Sequence, residues 1–245
     1  MADGKVYFGA GDDGMFCVHA ADGTPAWDDK VRPKGLHVDA ETGKEIWRRP
    51  TDLPVWGESV VAGGRLYVGI GNGNFMDSDD KPAGAVLCLD AATGDKVWRH
   101  DVPDGVLVRV AVDHDCVYFS SRDQNCYCLD RADGRVLWKK DLGSPVTASP
   151  VLARCPECGC AEVLYVVAGE GRVYRLDPAT GAEAWKLDLG KGQKAPEFFS
   201  SPTLAEGREA DGDHRWLYFG AGFNFFQRGG LYCVEDVTER PAGGK

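Results

Sequence analysis

No run of about 18 apolar residues occurs in this chain, so no segment is long enough to cross a bilayer as a helix. The opening, MADGKVYFGAG, lacks the basic cluster and apolar stretch of a secretory leader. As written, the chain is therefore expected to have no signal peptide and to be cytoplasmic. Positive charge is also scarce: 38 Asp and Glu outnumber 28 Lys and Arg, giving a net charge of −10. That balance disfavours nucleic acid and anionic lipid as generic partners, and membrane insertion is not expected. No Ser/His/Asp or Cys/His order comes with a supporting motif, which leaves nucleophilic catalysis without a signature. His19, His37, His100 and His114 fall on strand or turn positions, where structural roles are the default. Low-complexity tracts and sustained helical periodicity are missing too.

What the chain does have is a repeat. The stretch AVLCLDAATGDKVW, Ala85 to Trp98, reads as a strand, a tight turn and a return strand. Asp90 can bond the turn backbone, and Gly94 can take the positive φ that closes it. The cassette recurs at one spacing, with a polar residue eight positions before a Trp: His19 to Trp27, Asp39 to Trp47, Asp90 to Trp98, Asp130 to Trp138 and Asp177 to Trp185. In every copy a glycine stands four before the Trp. A sixth copy, LYCVEDVTERPA, keeps Thr238 but has Glu239 where glycine is expected and no Trp. The residues from Val237 onward are expected to fray. A Tyr-bearing strand precedes most copies (KVYFGAG, RLYVGIG, CVYFSS, VLYVVAG, WLYFGAG), and a weaker one precedes that (ESVVAG, VRVAVD, ASPVLA, SSPTLA). Four strands in roughly 40 to 50 residues is the length of a propeller blade.

This pattern, a YxG strand followed by xLDAxTGxxxW, resembles the PQQ-like repeat of quinoprotein-type β-propellers, whose members include quinone-dependent alcohol dehydrogenases and non-enzymatic outer-membrane-assembly propellers. The resemblance covers nearly the whole chain. It implies an all-β propeller of four-stranded antiparallel blades, with Trp27, Trp47, Trp98, Trp138 and Trp185 docked between neighbouring blades, and family members are often periplasmic or extracytoplasmic. Five or six blades are expected in a single domain, residues 1–245, with repeats at 4–27, 35–48, 52–98, 104–138, 144–185 and 197–236. The second repeat is truncated. Trp27 and Trp47 are too close for Asp28 to Gly35 to hold two strands.

Four of the nine cysteines, Cys17, Cys88, Cys128 and Cys233, share one repeat position and read as small core residues; Arg175 replaces them in the fifth copy. CPECGC has the look of a zinc-knuckle half-site, with Cys155, Cys158 and Cys160 as three ligands where structural zinc prefers four. A disulfide or free thiols in a loop insertion is the other reading. Asp77 and Asp79 could offer oxygens to calcium, but the glycine and terminal Glu of a calcium loop are missing. The catalytic members of the family need a vicinal Cys-Cys pair and an acidic calcium site. Neither is evident, so PQQ and calcium are not expected. Phe223, Phe225 and Phe226 beside Arg228, together with the loop Asn72 to Gly84, are the candidate partner contacts. The expected function is a non-catalytic scaffold or sensor domain that binds a protein or peptide, with self-association possible and no cofactor. The alternative is a fragment or degenerate relative of a PQQ-dependent dehydrogenase.

Overall fold

In a computed structural model of the chain, the repeat becomes a row of three side chains crossing each blade. The residues described are 5–9, 15–19, 21–22, 37–38, 45–47, 49–154, 159, 161–190, 200–208, 212–221 and 230–239. They fall into two compact units: residues 1–52 with 92–95, and residues 53–91 with 96–245. Among the described residues every element is a strand.

The first unit holds β1 (Lys5–Gly9) antiparallel to β2 (Met15–His19), and β3 (His37–Val38) antiparallel to β4 (Glu45–Trp47). Its Trp47 is buried against the turn at Gly94, where an added Cβ would meet the indole at 2.7 Å. Arg49 fastens that turn, donating from Nε to the Gly94 carbonyl at 3.0 Å and from Nη2 to Asp95 Oδ1 at 2.5 Å.

The second unit begins with β5 (Val60–Ala62), β6 (Arg65–Gly71), β7 (Gly84–Asp90) and β8 (Lys96–Val102), an antiparallel sheet in chain order. The same plan repeats in β9 (Ala111–Val112), β10 (Cys116–Ser120), β11 (Asn125–Asp130) and β12 (Val136–Asp141). It repeats again in β13 (Val151–Arg154), β14 (Ala161–Ala168), β15 (Arg172–Leu176) and β16 (Glu183–Asp188). A last sheet has three strands, β17 (Thr203–Arg208), β18 (Gly212–Ala221) and β19 (Gly230–Glu239). This is the all-β, blade-built propeller architecture that the repeat implies.

Register explains why the repeated residues recur. In successive blades Tyr67 faces Cys88, which faces Trp98; Tyr118 faces Cys128, which faces Trp138; Tyr165 faces Arg175, which faces Trp185. A small or extended middle residue leaves room for the two large rings. They approach across the third strand to 5.9, 6.0 and 6.3 Å between centroids. One residue beyond each middle position the register shifts, between Cys88 and Leu89, Cys128 and Leu129, and Arg175 and Leu176. The shift leads directly into the turn.

That turn then receives the Trp of the preceding blade. Gly134 and Gly181 sit at φ +77° and +70°, and a Cβ on either would lie 2.7 Å from Trp98 or Trp138. Trp98 Nε1 donates to the Arg131 carbonyl at 3.1 Å, and Trp138 Nε1 to the Pro178 carbonyl at 2.9 Å. Asp130 and Asp177 brace these turns by accepting backbone N–H bonds of 2.8 Å from Ala132 and Ala179. Between blades lie three apolar layers, centred on Tyr67 and Phe119, on Tyr118 and Leu164, and on Tyr165 and Phe219.

Two expectations are corrected in the last blade. Cys233 is exposed rather than a core residue, although Cys88 and Cys128 are buried. Val237 does not begin a frayed tail: β19 continues to Glu239, paired with the start of β18.

Candidate functional site

The inner strand of each blade is its shortest. β5, β9 and β13 contain three, two and four residues. With the segments that lead into them, they enclose a cavity of about 600 Å³ within the second unit. These segments lie backbone against backbone: a Cβ on Gly57 would stand 2.5 Å from the Val108 carbonyl oxygen. Serines fasten the next steps. Arg109 N donates to Ser149 Oγ at 3.2 Å, Ser149 N to Ser201 Oγ at 3.0 Å, and Ser201 Oγ to Ser149 Oγ at 2.8 Å.

Polar and apolar surface share the lining about equally: Leu107, Val110, Leu152 and Pro202 contribute to the apolar part, and Glu58, Arg109 and Arg154 are its charged members among the described residues. Arg154 is committed, donating from Nη1 to Asp113 Oδ1 at 3.1 Å and from Nη2 to the Val112 carbonyl at 2.5 Å. Burial raises the Asp113 pKa, but N–H bonds from Ala161 and His114 and the Arg154 guanidinium outweigh that and hold it below the ordinary carboxylate value. The Arg109 side chain is exposed and has no hydrogen bond or ion pair among the described residues. It is available to an anionic group.

Residues 72–83, between β6 and β7, bring Phe75 into the cavity lining. Their side-chain oxygens bond the loop's own backbone: Asn74 Oδ1 accepts from Met76 and Asp77 N–H at 2.7 and 2.9 Å, Asn72 Oδ1 from Ala83 at 2.7 Å, and Asp79 Oδ1 from Lys81 at 2.9 Å. A buried Arg from the neighbouring blade holds the loop in place. Arg122, in the β10–β11 hairpin, donates to the carbonyls of Phe75 and Met76 at 2.9 and 3.1 Å. Its Nε lies 3.9 Å from Asp104 Oδ2, and Ser78 Oγ donates to that same oxygen at 2.5 Å. The clamp fixes Phe75 edge-on to Trp56, 5.8 Å between centroids and 81° between planes.

Of the residues singled out from sequence, Trp47, Trp98, Trp138 and Trp185 and Asp90, Asp130 and Asp177 are in blades or their turns. None lines the cavity. Trp27 and Asp39, Cys155, Cys158 and Cys160, and Phe223, Phe225, Phe226 and Arg228 lie outside the described residues. Phe75 belongs to the candidate loop Asn72 to Gly84, whereas Trp56, Arg109 and Arg122 were not anticipated. Trp56 carried one signal, as a tryptophan outside the repeat spacing; the Ser-Pro pairs at Ser149 and Ser201 carried another.

A family model described as outer membrane protein assembly factor BamB matches residues 82–214, just over half the chain. The chain belongs to this family. The BamB of Nitrosomonas eutropha is 32% identical over 110 residues, 45% of this chain and 24% of that protein. A quinoprotein alcohol dehydrogenase, PedH of Pseudomonas putida, is 34% identical over 70 residues, 29% of this chain and 10% of that enzyme. The chain thus spans about a quarter or less of these curated relatives. The crystal structure of BamB from Moraxella catarrhalis superposes with a TM-score of 0.55 at 17% identity, over 89% of this chain and 62% of that one, a likeness of fold. Relatives of this chain therefore include an assembly factor and an enzyme.

Proposed function

We propose that this chain is a non-catalytic scaffold that binds an extended protein segment at the mouth of the cavity. The observation that carries the reading is the mouth itself: an aromatic pair, Trp56 and Phe75, clamped in place beside the available guanidinium of Arg109. A volume of about 600 Å³ suits the side chains of a short peptide stretch. The aromatics would take its apolar residues and Arg109 an acidic one. The BamB relatives lend support as outer membrane protein assembly factors, and they would place this chain's work at the outer membrane.

Quinone-dependent relatives imply a calcium-bound cofactor, and calcium takes six to eight oxygen ligands. Among the described residues, Glu58 is the one carboxylate in the lining of this cavity. Among the described residues, no group of three or more His, Cys, Asp or Glu is arranged to hold an ion. The described residues do not fit that group.

Selection from a displayed peptide library tests the reading. Enriched peptides should pair an acidic residue with apolar neighbours. Trp56→Ala should weaken them about tenfold or more, and Arg109→Glu should shift the preference toward lysine. Enrichment indifferent to both substitutions would sink the proposal.

A further inference from the structure

The β10–β11 hairpin brings two thiols together across its strands. Ser121 N donates to the Asn125 carbonyl at 3.0 Å, so the hairpin closes on a hydrogen-bonded pair. Alternation along the register then makes Ser120 and Cys126, Tyr118 and Cys128, and Cys116 and Asp130 the non-hydrogen-bonded pairs, whose side chains stand closest. Cys116, Tyr118, Cys126 and Cys128 share one face, which packs into the layer that holds Trp138 and Leu164. Diagonal neighbours on a ladder are about 7–8 Å apart. Right-handed twist shortens the diagonal that runs from a residue on the first strand to the one on the second strand a pair nearer the turn. Cys116 and Cys128 are the ends of such a diagonal, and their thiols are in hydrogen-bonding contact. Other blades fill the same diagonal differently. Arg65 reaches Cys88 in the blade before, Val163 stands with Arg175 in the blade after, and Trp216 with Cys233 in the last.

We infer that Cys116 and Cys128 are a reversible dithiol–disulfide couple, oxidised by a small-molecule disulfide of the glutathione type. A disulfide needs Cα atoms within about 7 Å, and thiols already in contact need little backbone movement to reach that. The two cysteines divide the work by exposure. Cys116 is half-buried and can be reached from solvent, whereas Cys128 is 0% exposed. As its thiolate, Cys116 attacks one sulfur of the reagent. The reagent's S–S bond breaks, and one thiol leaves with the proton that Cys116 gave up. Burial pushes the Cys128 thiol up, with the Cys116 thiol adding to the shift, so Cys128 does not open the exchange. Its target is delivered to it instead. Cys128 attacks the Cys116 sulfur of the mixed disulfide, loses its proton, and releases the second thiol. Two protein thiols become one disulfide, and the reagent disulfide becomes two thiols. The product is neutral and carries no donor, which suits the apolar layer around it. Cys126 is not the partner: it faces Ser120, two residues nearer the turn, and burial pushes its thiol up to about 12. This couple does not depend on the function proposed for the cavity.

The test treats the reduced full chain with excess oxidised glutathione, blocks the remaining thiols with iodoacetamide in denaturant, and digests with trypsin. Cleavage after Arg109, Arg122 and Arg131 puts Cys116 in residues 110–122, and Cys126 with Cys128 in residues 123–131. The expected product is these two peptides joined within one chain, with Cys126 alkylated and the link at Cys128 by fragmentation. Excess reduced glutathione should part them again. Oxidation should raise Tm by about 5–10 °C, because the crosslink restrains the unfolded chain. Cys116→Ser should abolish both the link and the rise, and leave the Tm of the reduced protein unchanged. A glutathione adduct that stays on Cys116, a link through Cys126 or between two chains, or no reaction at all would overturn the inference.

Discussion

At Gly134, a missing methyl group decides whether two blades can meet. The residue combines a left-handed backbone, φ +77°, with a Trp98 ring that would stand 2.7 Å from a Cβ. Gly64 has nearly the same backbone, φ +73°, but open space around the position of a Cβ. Gly64→Ala should therefore cost about 1–2 kcal/mol, the left-handed penalty alone. Gly134→Ala should cost about 2–5 kcal/mol, because crowding adds about 1–3. Urea denaturation of the pair separates the two contributions, and equal losses would show that the indole does not dock as described. This layer of the structure was legible in the sequence, since a fixed Gly-to-Trp spacing is what the dock requires. Asp236 was not: it accepts from Trp185 Nε1 at 3.2 Å, and so does the same work from a copy that has lost both motif residues.

The loop 72–83 shows what a blade element needs beyond its own sequence. Its turns are closed locally by Asn72, Asn74 and Asp79, but the stretch that carries Phe75 is held by Arg122 from the next blade. The Arg122 and Asp104 side chains are 6% and 9% exposed. Removing one partner leaves the other charge buried, so Arg122→Ala should cost about 3–5 kcal/mol. Hydrogen exchange should rise first in residues 72–83. Adding Asp104→Asn should restore part of the loss. If exchange in the loop stays at the wild-type level, Arg122 is not its clamp. Such a contact has no period and links hairpins far apart in sequence, so alternation could not reveal it. The short inner strands hid the cavity for a related reason: β5, β9 and β13 are too brief to show a two-residue rhythm.

On the scale of the whole chain, the repeat named the architecture and left the activity open, as expected when one fold serves many functions. Family membership repeats that division, with an assembly factor and a dehydrogenase among the relatives. The proposed scaffold reading rests on the aromatic pair at the cavity, Trp56 and Phe75. The most direct measurement is native mass spectrometry of the purified protein, offered PQQ with calcium in one sample and a library-selected acidic peptide in another. The expected result is a one-to-one peptide complex, weakened by Trp56→Ala, and no mass added by the quinone. A stoichiometric adduct of PQQ and calcium, with dye reduction on addition of an alcohol, would contradict the scaffold and make the chain an enzyme.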